Sequence, residues 1–513
     1  MTTLEDGSRV EHLRNDAIDI LCSRELSRLV EMVFWSPEPD VFEVRTVDGW
    51  VRFRRETSGF SAAYSIDRIV GRNPVGDQDP TRFSPLENER ENLHPNRRQN
   101  SYPYAYEHIA QLFDHPCAPD LCVLHTSSHR PEAHRGEHGS LDVVQARAPF
   151  IISGAGVKHA GLLERHCRLV DVAPTICSLL GVEPTIGIGP VGLPRDDAHL
   201  SRQDGNIIRG LIDRRSEPPK RVVAFLMDGA NPNMVYDMAA NGEAPTIAGL
   251  IERGTAFTHG AFASYPTVTL PNHTTILTGC HPGHHGVLHN AWYDRKLGQQ
   301  VVTESSSTWQ ESMQWLAPGI QTVHEALLSA RPDAVTLSVN EPSDRGATFS
   351  TFDLFRSGRA RELGQLADTT PSRTTIEFVE ASDDYKWGTT VDSSSVRQLC
   401  ALLEGDFAGG PYRDPCFIWV NTALTDATSH ECGPNSDMAR AAVRDTDARI
   451  GDMLSVVGRT LGTDDTTVVV LADHGMELND PDVTGDWGAA LAEAGIPFAD
   501  VASGFLYFDL GSA

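Results

Sequence analysis

Four short stretches of this chain carry side chains able to do metal-assisted chemistry. Asp228 ends the apolar run in RVVAFLMDGA. Thr269 lies in TVTLPNH, just ahead of a proline suited to the first turn of a helix. Asp426 and His430 stand four positions apart in DATSHECGP, and Asp473 and His474 are adjacent in LADHGM. Carboxylates and imidazoles without cysteine form a donor set that suits zinc-type divalent ions. Singly, each has a plainer reading. Asp-Gly after a strand is usually a turn, and a Thr at a helix start is usually an N-cap. Asp and His are also common in loops. The combination is what points to one site.

The elements needed to position these residues are legible. Val222–Met227, Ala334–Val339, Phe417–Val420 and Thr467–Leu471 are short apolar runs that read as buried parallel strands. Between 442 and 457 the apolar residues follow helical spacing. Alternating strands and helices predict an α/β fold, a central mostly parallel sheet with helices on both faces. Ligands in such folds collect at the carboxyl ends of the strands. Asp228 and Asp473 sit just past two strand ends, and Asp426 a few residues past a third. A helix through Asp426 and His430 would turn both toward one ion. Pro271 and Gly279 predict a helix starting at Thr269, whose N-terminus favours an alkoxide and a bound phosphate.

The first 190 residues continue the style. Asp48-Gly49 between two apolar runs predicts a hairpin. Residues 106–113 read as a helix, 121–124 and 148–152 as strands, and 172–180 as a helix capped by Gly181. Residues 191–219 are polar and read as a linker.

The chain has 513 residues, 40% hydrophobic and 22% charged, with a net charge of −27. That charge argues against nucleic-acid polymers and anionic membranes as partners. An anionic substrate would then need bound cations. Nine cysteines without CxxC spacing, a polar N-terminus and no apolar run of about 18–20 residues lead us to expect reduced thiols in a cytoplasmic protein.

Taken together, the stretches resemble the type I phosphodiesterase/nucleotide pyrophosphatase family of the alkaline phosphatase superfamily. The resemblance rests on FLMDGA (Asp228), PTVTLPNHTTILTG (Thr269), HHGVLHN (Asn290), DATSHECGP (Asp426, His430) and LADHGM (Asp473, His474), in the family's order. The family carries one more His, in a GxHG segment after the DHG. Here no His follows His474. Residues 134–153, HRGEHGSLDVVQARAPFIIS, resemble that region, with His138 as the missing ligand. VDVAPTICSLLGV resembles the family's closing helix, and 42–59 the stretch before the last His. The resemblance therefore implies an alkaline-phosphatase-like fold that is circularly permuted. Residues 1–190 would be the displaced C-terminal part of the catalytic domain, 191–219 the linker, and 220–513 the N-terminal part. Residues 295–410 match weakly and are expected as a smaller cap or insert.

By the same resemblance, two divalent ions, zinc by ligand type, are expected. Asp426, His430 and His138 would hold one; Asp228, Asp473 and His474, with Thr269, the other. Thr269 would be the nucleophile of a phosphodiester or pyrophosphate hydrolase, and Asn290 would hold a phosphate oxygen. The expected partner is a small phosphate ester, such as a nucleotide. Phosphonate C–P hydrolysis, as in phosphonoacetate hydrolases, and phosphomonoesterase activity remain alternatives, as does a metal-binding protein without turnover. His273 reads as an anchor of its helix. His281, His284, His285 and His289 read as structural. Tyr265, Trp292 and Tyr293 could stack on a base or simply pack.

Overall fold

The computed structural model describes residues 2–59, 61–126, 134–303, 305, 307–366, 381–508 and 510. Its centre is an eight-stranded sheet. In spatial order the strands are Phe349–Ser350, Thr336–Val339, Phe417–Thr422, Arg221–Met227, Thr466–Leu471, Phe150–Gly154, Gly254–Phe257 and Gly161–Leu163. The first five run parallel to one another. Phe150–Gly154 is antiparallel to both its neighbours. The sheet is thus mixed, and one strand from the front of the chain lies well inside it.

Side chains alternate across the strand Arg221–Met227 as the pleat requires. Val223, Phe225 and Met227 join one core, which the helices Pro232–Ala240, Pro245–Glu252, Asp383–Glu404 and Asp437–Leu461 cover. Val222, Ala224 and Leu226 join the opposite core, under Val172–Leu179, Thr269–Thr278 and Val323–Ala330. With both faces buried, the strand carries no outward polar residue, which is why it reads as an unbroken apolar run.

A second, antiparallel sheet of seven strands joins the two ends of the chain. Its order is Phe498–Val501, Phe505–Phe508, Leu121–His125, Val30–Glu38, Val41–Thr46, Gly49–Ser58 and Ser61–Gly71. Phe505 pairs with Cys122 and Leu506 with Leu121. On one face, Ala17, Ile18 and Leu21 of the first helix pack with Trp487, Leu491, Leu506 and Phe508. The expected hairpin is present, with Thr46 opposite Gly49.

Two of the expected connecting regions join the packed structure. Residues 191–219 are not a loose tether: Pro194–Ala198 pairs with Thr185–Ile188, and Leu200, Gln203 and Asp204 are buried. Within residues 295–410, Thr336–Val339, read as a strand from the sequence, pairs along its length with Phe417–Val420 in the central sheet.

Candidate active site

The strand Arg221–Met227 delivers Asp228 to its carboxyl end, and Gly229 then turns with φ +61°. A Cβ at Gly229 would stand 2.5 Å from Asp426 Oδ1, so only glycine fits this close approach. Next door, Thr466–Leu471 delivers Asp473 and His474, both fully buried. Asp473 Oδ1 accepts the Gly229 N–H at 3.1 Å, which leaves Oδ2 facing His474 Nε2 at 3.0 Å. The helix Leu424–Cys432 turns Asp426 and His430 to one side, with Oδ1 and Nε2 3.5 Å apart.

His138 arrives from the front of the chain. Glu137 pairs with Glu477, and Arg135 N–H donates to His430 O at 2.7 Å. Gly136 passes so close that a Cβ would meet Ser429 O at 2.4 Å. These contacts pin residues 135–138 between the helix Leu424–Cys432 and the segment after His474. His138 Nε2 ends 3.1 Å from His430 Nε2 and 3.8 Å from Asp426 Oδ1. Its ring stacks on His474 with centroids 3.7 Å apart.

The tautomers follow from the backbone. His138 Nδ1 lies 3.0 Å from Thr267 O, His430 Nδ1 2.8 Å from Gly136 O, and His474 Nδ1 3.0 Å from Gly475 O. A carbonyl can only accept, so each Nδ1 carries the proton and each Nε2 is turned inward. Such carbonyl-held imidazoles are the usual arrangement around a metal ion. Two Nε2 atoms on one tetrahedral zinc would stand about 3.3 Å apart for bonds of roughly 2.0–2.1 Å. The His138–His430 distance is close to that.

The electrostatics agree. Burial, then Asp473 and Asp426, push the Asp228 carboxyl up to about 8. Burial, then the neighbouring His474 and His430, hold His138 well below its ordinary value, as a neutral ring. Burial works against a charged His474, but Asp473, Asp426 and Asp228 raise it to about 9. Asp228 Oδ1 and Asp426 Oδ1 are buried without a hydrogen-bond partner, and Asp473 Oδ2 faces the ring nitrogens of His474 and His273. A cation would satisfy all three, so the residues present fit a metal centre. The ligand atoms of Asp228, Asp473 and His474 lie within 4.8 Å of one another, as do those of His138, Asp426 and His474.

Thr269 begins the helix Thr269–Thr278, with Oγ1 3.4 Å from His474 Nε2. Asn290 Oδ1 accepts the Leu270 N–H at 3.3 Å, which sets its amide beside Thr269. The structure thus brings together all eight residues singled out from the sequence.

His273 was underrated. It is fully buried, with Nε2 3.5 Å from Asp473 Oδ2 and 3.7 Å from Asp228 Oδ2. Its spacing of four from Thr269 on one helix was the available signal. His134 and Glu137 were also missed; their side chains, 3.2 Å apart, adjoin His430. The other histidines keep structural partners. His284 bridges Asp204 and Asp114 at 2.6 and 2.8 Å, and His281 meets Ser264 Oγ at 2.8 Å. His285 bonds Pro271 O, and His289 meets the Phe505 ring edge-on. Trp292 packs on Trp315, Tyr265 against Phe34, and Tyr293 against Tyr507. Among the described residues, no helix is long and apolar enough to cross a membrane.

The chain has relatives among known proteins over about half of its length. An uncharacterised pyrophosphatase/phosphodiesterase of Schizosaccharomyces pombe is 23% identical over 258 residues, 50% of this chain and 44% of that protein. Ectonucleotide pyrophosphatase/phosphodiesterase family member 1 of Rattus norvegicus is 25% identical over 264 residues, 51% of this chain and 24% of that one. The chain thus matches less than half the length of either relative. Among solved structures, the alkaline phosphatase PafA aligns at 18% identity and a TM-score of 0.34, over 50% of this chain and 63% of the other. A model of the type I phosphodiesterase/nucleotide pyrophosphatase family matches residues 222–505, more than half of the chain. Those residues hold every site side chain described above except the ones on the segment around His138, and the chain belongs to the type I phosphodiesterase/nucleotide pyrophosphatase family.

Proposed function

We propose that this protein hydrolyses phosphodiester or pyrophosphate bonds of small, nucleotide-type substrates, with Thr269 as nucleophile at a two-metal centre. One observation carries the reading. Two imidazoles turn their Nε2 atoms toward each other at 3.1 Å, beside the buried Asp426 Oδ1, which lacks a hydrogen-bond partner. A shared cation would satisfy both ring nitrogens and that carboxylate oxygen at once. Asp426, His430 and His138 would hold one ion, and Asp228, Asp473 and His474 the other. When bound, two zinc ions would supply positive charge to the phosphate oxygens and lower the proton affinity of the Thr269 hydroxyl.

The chain's own groups do the rest. Thr269 Oγ, its proton released to solvent, attacks phosphorus as the bond to the leaving oxygen breaks, and the bonding pair departs with that oxygen, which takes up a proton from solvent. The phosphothreonine is then hydrolysed by water, whose oxygen joins phosphorus while Thr269 Oγ regains a proton. The helix N-terminus and the Asn290 amide hold a non-bridging oxygen as charge shifts onto it. Two inversions give net retention at phosphorus.

We also propose that the order of the segments is that of a circular permutation. The pairing of Phe505–Phe508 with Leu121–His125, and the packing of the first helix on 487–508, support this: both ends of the chain meet in one sheet.

The test is a panel of substrates offered to the purified protein with added zinc: an aryl phosphodiester, an aryl phosphomonoester, a dinucleotide and phosphonoacetate. The diester and the dinucleotide should be turned over, and a chelator should abolish it. Turnover of phosphonoacetate alone would overturn the reading.

A further inference from the structure

Behind the Asp228–Asp473–His474 group lies a chain of fully buried polar contacts for which family membership and ligand pattern give no role. His273 Nδ1 stands 2.9 Å from Glu341 Oε2. The same carboxylate oxygen accepts the Trp419 indole N–H at 2.6 Å, and Oε1 accepts the Ser343 N–H at 2.8 Å. Glu341, His273 and Trp419 are all 0% exposed. A buried carboxylate this well satisfied has its geometry fixed by three partners. His273 then has one ring orientation. Its Nε2 has no hydrogen-bond partner and points between Asp228 Oδ2 and Asp473 Oδ2. The contact thus runs from the Trp419 strand through Glu341 and His273 to two carboxylates of the site.

A bland alternative is that Glu341 and His273 only tie the helix Thr269–Thr278 to the strand Phe417–Thr422. Geometry argues for more. A tie would end at His273, whereas the ring goes on to face two carboxylate oxygens. Groups behind metal ligands orient them, and their removal typically costs about 10–100-fold in metal affinity or activity.

We propose that Glu341 is a positioning residue. Acting through His273, it sets the orientation of Asp228 and Asp473 and thereby the affinity of this site for its divalent ion. The inference rests on the reading of Asp228, Asp473 and His474 as a metal site. It requires neither Thr269 chemistry nor any particular substrate.

The test uses the full-length protein and the substitutions Glu341→Gln and His273→Gln. Zinc affinity is measured by competition with a chromophoric chelator, alongside bound-metal content, melting temperature with excess chelator, and kcat and KM on an aryl phosphodiester. Glu341→Gln should weaken one of two zinc sites about 10–100-fold and leave the other unchanged. kcat should fall at limiting zinc, with KM little altered, and excess zinc should restore most of it. The melting temperature in chelator should stay near that of the parent. Trp419→Phe, which removes one donor to Glu341 and keeps a ring, should give a smaller shift of the same sign, and it decides the matter if Glu341→Gln fails to fold. Unchanged zinc affinity at both sites in folded Glu341→Gln, or in folded Trp419→Phe when Glu341→Gln cannot be obtained, overturns the proposal. If the parent binds two zinc ions but hydrolyses no diester, the proposed function fails while the affinity comparison still decides the role of Glu341. If the parent binds no zinc, both fail.

Discussion

His138 and His430, far apart in sequence, face each other through their Nε2 atoms at 3.1 Å, each ring held from behind by a backbone carbonyl. His138→Ala should remove a direct ligand and cost more than the roughly 10–100-fold typical of outer partners at one zinc site. Metal content by mass spectrometry should fall from two ions toward one, with the fold intact by circular dichroism. Two ions retained at parental affinity would take His138 out of the site.

Thr269→Ala should lower kcat on an aryl phosphodiester by on the order of 10³-fold or more, as loss of a nucleophile does. Stability should barely change, since Val268 is the N-cap of that helix and no side-chain cap bond is present. Thr269→Ser should keep part of the activity. Initial rates of the three proteins at equal metal loading decide this, and full activity in the alanine variant would rule out the covalent route.

Gly229→Ala tests the close approach to Asp426. The residue has φ +61°, and the added Cβ would sit 2.5 Å from Asp426 Oδ1. Backbone strain of this kind costs on the order of 1–3 kcal/mol, and the displaced carboxylate should weaken metal binding as well. Chemical denaturation and zinc titration would read the two effects separately.

Much of this was readable in the sequence because the local physics was uncompromised. Residues 222–227 and 468–471 lie in the buried central sheet, so their apolar runs are unbroken; the first ends directly before Asp228 and the second is separated from Asp473 only by Ala472. Asp426 and His430 are legible because a helix turns residues four apart to one side. What escaped was set by contacts distant in sequence. Glu341 has no local signature; its meaning comes from His273 and Trp419, on two other elements. Thr336–Val339 was readable as a strand, but its place in the central sheet depends on pairing with Phe417–Val420, which no local pattern records. Residues 191–219 look like a linker by composition, yet Asp204 is buried against His284.

Asp392 gives a pH dependence away from the ligands. It is fully buried on the helix Asp383–Glu404 and accepts the Ala423 N–H at 2.7 Å, just ahead of the helix that carries Asp426. Burial, opposed by Arg449, raises its carboxyl from the usual 3.8 to about 7. A folded value above the unfolded one means that the native state binds the proton more tightly. The stability this gives is full below about pH 4 and is lost as pH rises through about 7. The loss is at most about 4 kcal/mol. Asp392→Asn keeps the acceptor and removes the charge, so it should raise the melting temperature at pH 8 and change it little at pH 4. An equal shift at both pH values would contradict the assignment.

Residues 220–513 expressed alone should be insoluble, because Gly254–Phe257 and Thr466–Leu471 lose the strand between them and expose unpaired edges. Co-expression with residues 1–219 should recover a soluble complex with two zinc sites. Soluble, metal-loaded 220–513 by itself would refute this.

The place of Phe150–Gly154 in the central sheet also matters during translation. This strand leaves the ribosome well before one of its partners, Thr466–Leu471, has been made. Until that partner emerges, the early strand has only one neighbour, and His138 has no Asp473 or His474 to meet. A ribosome halted before Leu471 would hold a nascent chain with a half-built sheet and no catalytic centre. A truncated product of that kind is a client for chaperones and proteases rather than a weak enzyme.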